Sequence, residues 1–433
     1  MRASGSGSSV ARADGGGHEG AGVSLDWPAG LPVLRLNGVS LREPRLADAA
    51  GLHARLTTPS VVKFLPPPPD TVSGFERFIT WVQHERQHGR HACYAIIPDD
   101  SPNPVGLIQV REIEPDFGTA EWGFALAQPS WGTGLFMECA TALVGFLFRE
   151  VGIHRLEARA SVSNGRGNGV LQKLNAVPEG VLRRSFDNGS RITDQVLWSL
   201  IASDWLASHL GPTYRLEAPM TQAPEAVFSC ADVQRAERWA RGLPELRGDR
   251  VTLRELSRDD APALTAAFKD TEVGRYIAPP PADFKAFEHF ADWARLQRES
   301  GTYFCYAVLP DHDQQAVGIY QIHQVEPPFK TAEWGFAFAK PYWGTGLFSR
   351  SACVLLDHLF ESLGVKRLEA RALADNARAN AVLRRLGAVQ EGRLRRSFLL
   401  GGQYRDDVLW SILDTDWAAR GGRAERPAPV GWP

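Results

Sequence analysis

Two glycine-rich stretches have the composition and setting of an anion-binding turn. One begins at Trp131 and the other at Trp343, and both read Trp-Gly-Thr-Gly-Leu-Phe. Each follows a run whose side chains alternate in character as in a β-strand, and each is followed by an apolar run long enough for a helix. Glycine lets the backbone approach a ligand, and the free N–H groups of a first helical turn attract phosphate. The stretches therefore predict phosphate or pyrophosphate binding, and a plain tight connection is the alternative.

The residues assigned to this binding role lie almost entirely within the two turns. They are Trp131, Gly132, Thr133, Gly134, Leu135 and Phe136, then Phe338, Trp343, Gly344, Thr345, Gly346, Leu347 and Phe348.

A carboxylate stands on the strand that leads into each turn. Glu121 and Glu333 are therefore candidate general bases. Alternation puts Trp334 and Phe336 on the other side of the strand from Glu333. A carboxylate near aromatic residues would have a raised pKa, which suits a base working directly or through water. An exposed or salt-bridged strand glutamate is the equally weighted alternative.

The turns belong to an internal repeat. The second Trp-Gly-Thr-Gly lies 212 residues after the first (343 minus 131), and the same offset aligns other segments without a gap. Arg155-Leu-Glu-Ala-Arg-Ala faces Arg367-Leu-Glu-Ala-Arg-Ala, for example. A period this long indicates two copies of one globular domain, because solenoid repeats are roughly 20 to 50 residues.

The pattern of each copy predicts an α/β (α+β) domain, with a mixed, mostly antiparallel sheet flanked by helices. A helix between two strands forms a crossover, which makes those strands parallel. In the first copy the predicted helices are 46–56, 73–87, 134–150 and 164–174, and the predicted strands are 39–42, 91–97, 105–111, 120–126, 155–160, 181–186 and 195–200.

Composition shifts predict the domain boundaries. The expected order is a disordered tail at 1–30, a first domain at 31–206, a linker at 207–245, a second domain at 246–418 and a disordered tail at 419–433. A short helix is expected near residues 232–241 of the linker.

Composition and charge indicate an ordinary cytoplasmic globular protein. The net charge of −2 gives no general attraction to nucleic acid or anionic membranes, and no apolar run approaches the roughly 20 residues that span a bilayer. The arginine pairs at 183–184 and 395–396 suggest nucleic-acid binding, but nearby aspartates make a mixed-charge surface the favoured interpretation.

Neither the cysteines nor the histidines predict a metal site or a disulfide. The five cysteines are widely spaced, and buried free thiols are expected, with Cys93 and Cys305 at matching places in strands; the five are Cys93, Cys139, Cys230, Cys305 and Cys353. The histidines His84, His88 and His91 are replaced in the other repeat by Leu296, Ser300 and Tyr303. We therefore expect no metal.

The turns, together with the run from Asp375 to Ala388 and the closing Asp416-Trp417, resemble the GNAT acetyltransferases of the RimJ/RimL type, which acetylate protein N-terminal amines. The resemblance covers nearly all of both repeats. It implies that the turns bind the pyrophosphate of acetyl-coenzyme A through backbone N–H groups, and that Asn376 and Asn164 contact the cofactor or order the active site. A helix N-cap is the alternative for both asparagines. The Trp and Phe that begin and end each turn depart from the family pattern.

The resemblance also implies direct attack of the amine on the thioester, without an acyl-enzyme. Strand N–H groups would polarise the carbonyl. Many relatives use a tyrosine to protonate the leaving thiolate, but Leu383 and Leu171 stand at that place. Water, Tyr404 or no group at all remains for that role.

The sequence thus predicts transfer of an acetyl group to a primary amine, either a protein N-terminus or a small molecule, with Glu333, Glu121 and Asn376 as catalytic residues. A coenzyme A-binding pseudoenzyme or sensor with at least one inactive repeat is the alternative. The chain is expected to be a monomer that forms a pseudo-dimer, or a homodimer.

The second repeat is expected to be the better cofactor site. Its helix after the motif asparagine carries alanines where the first repeat has Gly165, Gly167 and Gly169, and glycine destabilises a helix interior. The turn that ends this helix has Gly387 in the second repeat and the less suitable Asn175 in the first.

Overall fold

The computed structural model describes residues 30–113, 118–189, 191–219, 242–313, 315–326 and 329–420. The expected tail before residue 30, most of the tail after residue 419, the helix expected near residues 232–241, and Cys230 lie outside these ranges. Within them, the two repeats fold with the same order of elements, apart from a short final strand in the first repeat.

The first repeat is a mixed sheet with helices on both faces. Its strands are β1 (Val33–Arg35), β2 (Val39–Arg42), β3 (His91–Pro98), β4 (Gly106–Glu112), β5 (Thr119–Leu126), β6 (Arg155–Ser161), β7 (Val177–Asp187), β8 (Ile192–Ile201) and β9 (Arg215–Glu217). Its helices are α1 (Ala49–Leu56), α2 (Pro59–Val62), α3 (Val72–Gln87), α4 (Leu135–Phe146), α5 (Gly165–Lys173) and α6 (Ala202–Ser208).

The second repeat has the same architecture. Its strands are β10 (Leu246–Gly248), β11 (Val251–Glu255), β12 (Tyr303–Pro310), β13 (Gly318–Glu326), β14 (Thr331–Phe338), β15 (Arg367–Leu373), β16 (Val389–Leu400) and β17 (Gln403–Leu413). Its helices are α7 (Ala261–Phe268), α8 (Thr271–Gly274), α9 (Phe284–Glu299), α10 (Leu347–Asp357), α11 (Ala377–Arg385) and α12 (Asp414–Ala419).

The strands of both repeats pair in one continuous series. The order is β9–β1–β2–β3–β4–β5–β6–β8–β7–β16–β17–β15–β14–β13–β12–β11–β10. Only the pairs β5–β6 and β14–β15 within this series are parallel, which agrees with the crossover expected through α4 and α10. The predicted mixed, mostly antiparallel sheet is confirmed.

Alternation along each strand divides the core into two layers. In β3, Tyr94 and Ile96 pack with α4 and α5, whereas Cys93 and Ala95 pack with α1 and α3 on the opposite face. The second repeat has the same two layers. Cys93 and Cys305 are buried free thiols, as expected.

Several predicted element boundaries differ from the structure. The helix expected at 134–150 ends at Phe146 and continues as a π-helical turn, Leu147–Val151. β7 begins at Val177 rather than 181, so Pro178 lies inside a strand at a register shift. Arg215–Glu217, within the predicted linker, pairs with β1 as β9. A strand of three residues is too short to show a period of two.

The two repeats meet through symmetry-related contacts. β7 pairs with β16 at Gly180 and Gly392, and a Cβ on either glycine would lie 2.5 Å or 2.7 Å from a carbonyl oxygen of the other strand. Four leucines form a buried cluster beside this pair: Leu182, Leu197, Leu394 and Leu409. Each leucine in one repeat has its counterpart 212 positions away, so the contact is that of a pseudo-dimer with an isologous interface.

The arginine pairs that suggested nucleic-acid binding serve this interface. The Arg183 guanidinium lies 2.9 Å from Glu391, and the Arg395 guanidinium lies 3.0 Å from Glu179. Both arginines are therefore ion-paired across the repeats.

Candidate functional site

A cleft opens in each repeat where two parallel strands separate. β14 and β15 pair only from Thr331 with Arg367 to Glu333 with Glu369. Beyond that point β14 remains paired with β13, and β15 remains paired with β17. The first repeat separates at the equivalent place, after Glu121. Each candidate carboxylate thus lies at the closed end of its cleft.

Backbone donors of β14 face into this cleft. The Ala339 N–H donates to the carbonyl of Val317, the residue before β13, so alternation directs the N–H groups of Phe336 and Phe338 away from β13. The Phe338 carbonyl also points this way, because it accepts a hydrogen bond from the Trp343 indole at 2.8 Å. Two strand N–H groups therefore point into the cleft between β14 and β15.

The glycine turn of the second repeat follows the end of β14, at the opposite end of the cleft from Glu333. Gly344 and Gly346 have φ of 75° and 80°, a region that favours glycine, and Gly346 is the N-cap of α10. A Cβ at Gly344 would meet nothing within 4 Å. The Leu347 N–H at the start of α10 donates to the Thr345 hydroxyl at 3.4 Å, and the space beside Gly344 is open, so this arrangement fits a pyrophosphate.

Each turn is anchored by its tryptophan. In addition to the indole hydrogen bond, the Trp343 ring lies under the Arg378 guanidinium, which is 3.8 Å from the ring centroid. Trp131 and Arg166 repeat this contact at 4.5 Å. The arginines bring the start of the next helix against the turn and add positive charge beside it. Sequence reasoning missed them, although both stand two positions after the motif asparagine.

Asn376 and Asn164 are helix N-caps. The Asn376 Oδ1 accepts the Ala379 N–H at 3.1 Å, and the Asn164 Oδ1 accepts the Gly167 N–H at 3.0 Å. Asn175 and Gly387, which end these helices, have φ of 60° and 84°, so the predicted left-handed caps are confirmed.

The phenylalanine that closes each turn packs inward. The Phe348 ring lies 4.5 Å from the Phe336 ring, and the Phe136 ring lies 4.3 Å from the Phe124 ring. Phe338 is buried in the same cluster. These side chains pack β14 against α10 in the second repeat and β5 against α4 in the first.

The two turns differ in the charge on the first helical turn. Arg350 of α10 lies across its own glycine turn and donates to the Thr345 carbonyl at 3.3 Å. The counterpart in α4 is Glu138, which is exposed in the first turn of that helix. The second turn therefore has a cation where the first turn has an anion.

Glu333 is held in an ion-paired setting. Its Oε2 lies 3.5 Å from the Arg371 Nε and 3.6 Å from the His323 Nε2. Burial raises the pKa of Glu333, but Arg371 and His323 outweigh burial and hold the pKa below its ordinary value. The raised pKa expected from the neighbouring aromatic residues is therefore wrong, because Trp334 points to the other face, towards the core under α10.

Glu121 is paired more tightly. Its Oε2 accepts from the Arg111 guanidinium at 2.6 Å and lies 3.7 Å from the Arg159 Nε. Arg111 stands where the second repeat has His323, so the first cleft carries one more permanent positive charge at this point.

In neither repeat does the helix that follows the motif asparagine place a tyrosine beside the glycine turn. Leu383 and Leu171 are buried there. Tyr404 stacks on His154 of the other repeat, with ring centroids 3.3 Å apart. Among the residues with described coordinates, no group of three potential ligands could hold a metal ion, and no helix is long and apolar enough to cross a membrane.

Comparison with known proteins gives matches to both repeats. A model of the family described as "Acetyltransferase (GNAT) domain" matches residues 39–177 and 250–389, which is more than half of the chain. The putative ribosomal N-acetyltransferase YdaF of Bacillus subtilis is 25% identical over 180 residues, covering 39% of this chain and 94% of its own. Spermidine N(1)-acetyltransferase of Escherichia coli is 26% identical over 171 residues, covering 39% of this chain and 89% of its own.

Solved structures give matches of the same length. A putative acetyltransferase from T. thermophilus is 29% identical with a TM-score of 0.38, and the match covers 42% of this chain and 97% of that one. The two curated relatives described above each match a length of about one repeat.

Proposed function

Because the chain belongs to the GNAT family of N-acetyltransferases, we propose that it transfers an acetyl group from acetyl-coenzyme A to a primary amine, and that the second repeat carries the reaction. The observation that carries this proposal is the convergence of three features on the cleft between β14 and β15. They are the N–H groups of Phe336 and Phe338, the turn at Gly344–Gly346, and the carboxylate of Glu333.

The turn is suited to hold the pyrophosphate. Backbone N–H groups of the first turn of α10 supply the contacts, and Arg350 and Arg378 add the charge. With the pyrophosphate there, the thioester reaches along β14 into the cleft. The Phe336 and Phe338 N–H groups then stabilise the oxygen that becomes negative as the amine attacks.

Glu333 is suited to attract the substrate ammonium. Its low pKa keeps the carboxylate charged at neutral pH, and its 3.5 Å contact with Arg371 is that of an ion pair rather than a short hydrogen bond. Asn376 positions the start of α11, and with it Arg378, beside the turn.

The favoured acceptor is an amine that is charged in solution. Relatives are named for acetylating spermidine and ribosomal proteins, and both kinds of acceptor present such an amine. The anionic Glu333 beside His323 suits an ammonium better than the first cleft does, where Arg111 replaces the histidine.

The test is coenzyme A release from acetyl-coenzyme A with a panel of acceptors: spermidine, and peptides with a free N-terminal alanine or serine. Mass spectrometry identifies the acetylated product. We expect at least one acceptor to gain an acetyl group, and the variant Gly346→Glu to abolish most of this activity. Absence of any acetylated product, together with normal acetyl-coenzyme A binding in calorimetry, would contradict the proposal.

Normal acetyl-coenzyme A binding without any acetylated product would favour a coenzyme A-binding sensor. The observation in its favour is the buried leucine at Leu383 and at Leu171, which leaves the helix after the asparagine with no acid for the leaving thiolate. Binding without turnover distinguishes a sensor from an enzyme.

A further inference from the structure

Asp407 is a buried carboxyl group on the same face of the sheet as Glu333. It lies in β17, opposite Leu373 of β15 and Leu394 of β16, and it is only 4% exposed. Alternation along β17 places Asp407 with Leu409, which faces the other repeat, whereas Val408 and Trp410 face the core under α10 and α11.

Four side chains on this face form a row across neighbouring strands. Glu333 of β14 contacts Arg371 of β15, and Arg371 lies opposite Leu409, one step along the face from Asp407. Ser397 of β16 donates its hydroxyl to the Asp407 Oδ2 at 2.7 Å. In the described part of the chain this is the one hydrogen bond to the Asp407 carboxylate, so its Oδ1 can accept a further hydrogen bond.

The first repeat lacks this carboxyl group. Its corresponding row is Glu121, Arg159, Gln195 and Ser185, and Gln195 accepts the Ser185 hydroxyl at 3.0 Å. An amide cannot take up a proton at neutral pH, so the two clefts differ in whether they hold a second proton acceptor.

The polar and charged groups that act on Asp407 lie on β14, β15 and β16, and on β6 of the first repeat. Burial raises the pKa of Asp407 to about 6; the Ser397 hydroxyl, Arg371 and Arg155 of the first repeat oppose this rise, and Glu333 adds to it. A carboxyl group with such a pKa exchanges protons near neutral pH, where Glu333 remains ionised.

We propose that Asp407 is the catalytic base of the second repeat, and that it accepts, directly or through one water, the proton lost by the acceptor ammonium held at Glu333. This inference rests on the proposed function and deepens it. It divides the work between two carboxylates: one attracts the ammonium and the other takes its proton.

The acceptor ammonium, Asp407, the leaving thiolate and solvent account for every proton in the reaction. The ammonium gives one proton to the Asp407 carboxylate and becomes a neutral amine, which forms the new C–N bond at the thioester carbonyl. The C–S bond breaks, and the thiolate takes the second proton that the nitrogen releases. Asp407 then returns its proton to solvent, which yields the amide, coenzyme A and one proton.

The test measures kcat/KM for the most active acceptor of the panel between about pH 5 and about pH 9. For the parent protein we expect the rate to rise with pH, with an inflection near the Asp407 pKa of about 6, and then to level off. Asp407→Asn should lower kcat by roughly 100-fold or more and remove the inflection. Acetyl-coenzyme A affinity and the melting temperature should stay close to those of the parent.

Two further variants separate a chemical role from a structural one. Ser397→Ala should move the inflection to higher pH, because the hydroxyl stabilises the charged carboxylate. Gln195→Asp makes the matched change in the first repeat, and it should leave the profile as it is in the parent.

Retention of the inflection and of at least half the rate in Asp407→Asn would overturn the inference alone. Absence of acetyl transfer by the parent to every acceptor would overturn it together with the proposed function. An unmoved inflection in Ser397→Ala would show that another group titrates.

Discussion

Arg371 of the second repeat forms a two-pronged ion pair with Glu157 of the first. Its Nη1 and Nη2 each lie 3.0 Å from a carboxylate oxygen, and Arg159 with Glu369 repeats the same geometry in the opposite direction. Because Arg371 also contacts Glu333, the first repeat fixes the charge beside the candidate carboxylate of the second. Each cleft thus depends on a residue from the other domain.

Breaking this pair should destabilise the whole chain. Glu157 is fully buried, so Glu157→Gln removes from the interior a negative charge that compensates the positive charge of Arg371. We expect a loss of about 3 to 5 kcal/mol in the free energy of unfolding, measured by urea titration. The control Glu76→Gln, at an exposed position of α3, should change it by less than about 0.5 kcal/mol.

The same pair predicts how stability responds to acid. Burial raises the pKa of Glu157, but Arg371 and Arg155 outweigh burial and lower the pKa from the ordinary 4.5 to about 2. The stabilising charge is complete above the unfolded-state pKa, and it is lost as pH falls from about 4.5 through about 2. Melting temperatures across this range should fall, and they should fall less steeply in Glu157→Gln; equal slopes would contradict the assignment.

The two glycine turns should tolerate change unequally. Gly346→Glu puts a bulky anion where φ is 80°, at the turn of the second repeat, and should abolish most acetyl-coenzyme A binding and turnover. Gly134→Glu makes the same change in the first repeat and should leave a substantial part of both. Calorimetry and the coenzyme A release assay measure this difference. Equal losses, or a larger loss from Gly134→Glu, would show that the second repeat is not the better cofactor site.

The charge difference between Arg350 and Glu138 provides a reciprocal swap. Arg350→Glu should weaken acetyl-coenzyme A binding by roughly tenfold, about 1.4 kcal/mol, because a cation across the turn becomes an anion. Glu138→Arg should strengthen any binding at the first turn. Calorimetry at two salt concentrations checks this, since screening should shrink both effects. An unchanged affinity in Arg350→Glu would mean that the backbone alone sets it.

Glu333→Gln should weaken capture of the amine more than capture of acetyl-coenzyme A. The neutral amide loses its attraction for the ammonium, so kcat/KM for the amine should fall by roughly tenfold or more. Steady-state kinetics with each substrate varied in turn measures this, and Glu121→Gln should have the smaller effect. A variant that turns over like the parent would make Glu333 purely structural.

Local features of the site could be predicted from the sequence, because they depend on residues close along the chain. The turn at Trp343, the N-cap at Asn376 and the left-handed position at Asn175 each arise within about one helical turn of their partners. Each of these local motifs also occurs in both repeats, so the sequence showed it twice. Fold class followed from the order of these local elements.

The electrostatic setting of the site could not be predicted in this way. The pKa of Glu333 falls because Arg371 arrives from the next strand, and Arg371 is itself held by Glu157 of the other repeat. The contact of Arg378 with Trp343 likewise joins elements separated by α10 and β15. Aromatic neighbours in the sequence gave the wrong sign for Glu333, because adjacent strand residues point to opposite faces.

The isologous contact through Gly180 and Gly392 lies within a single polypeptide. In a homodimer of identical subunits, any substitution appears at both sites and must suit both. Here each half varies alone, so Glu138 and Arg350, or Gln195 and Asp407, can occupy equivalent positions in one molecule. Covalent fusion thereby allows one half to specialise in chemistry while the other serves as its permanent scaffold.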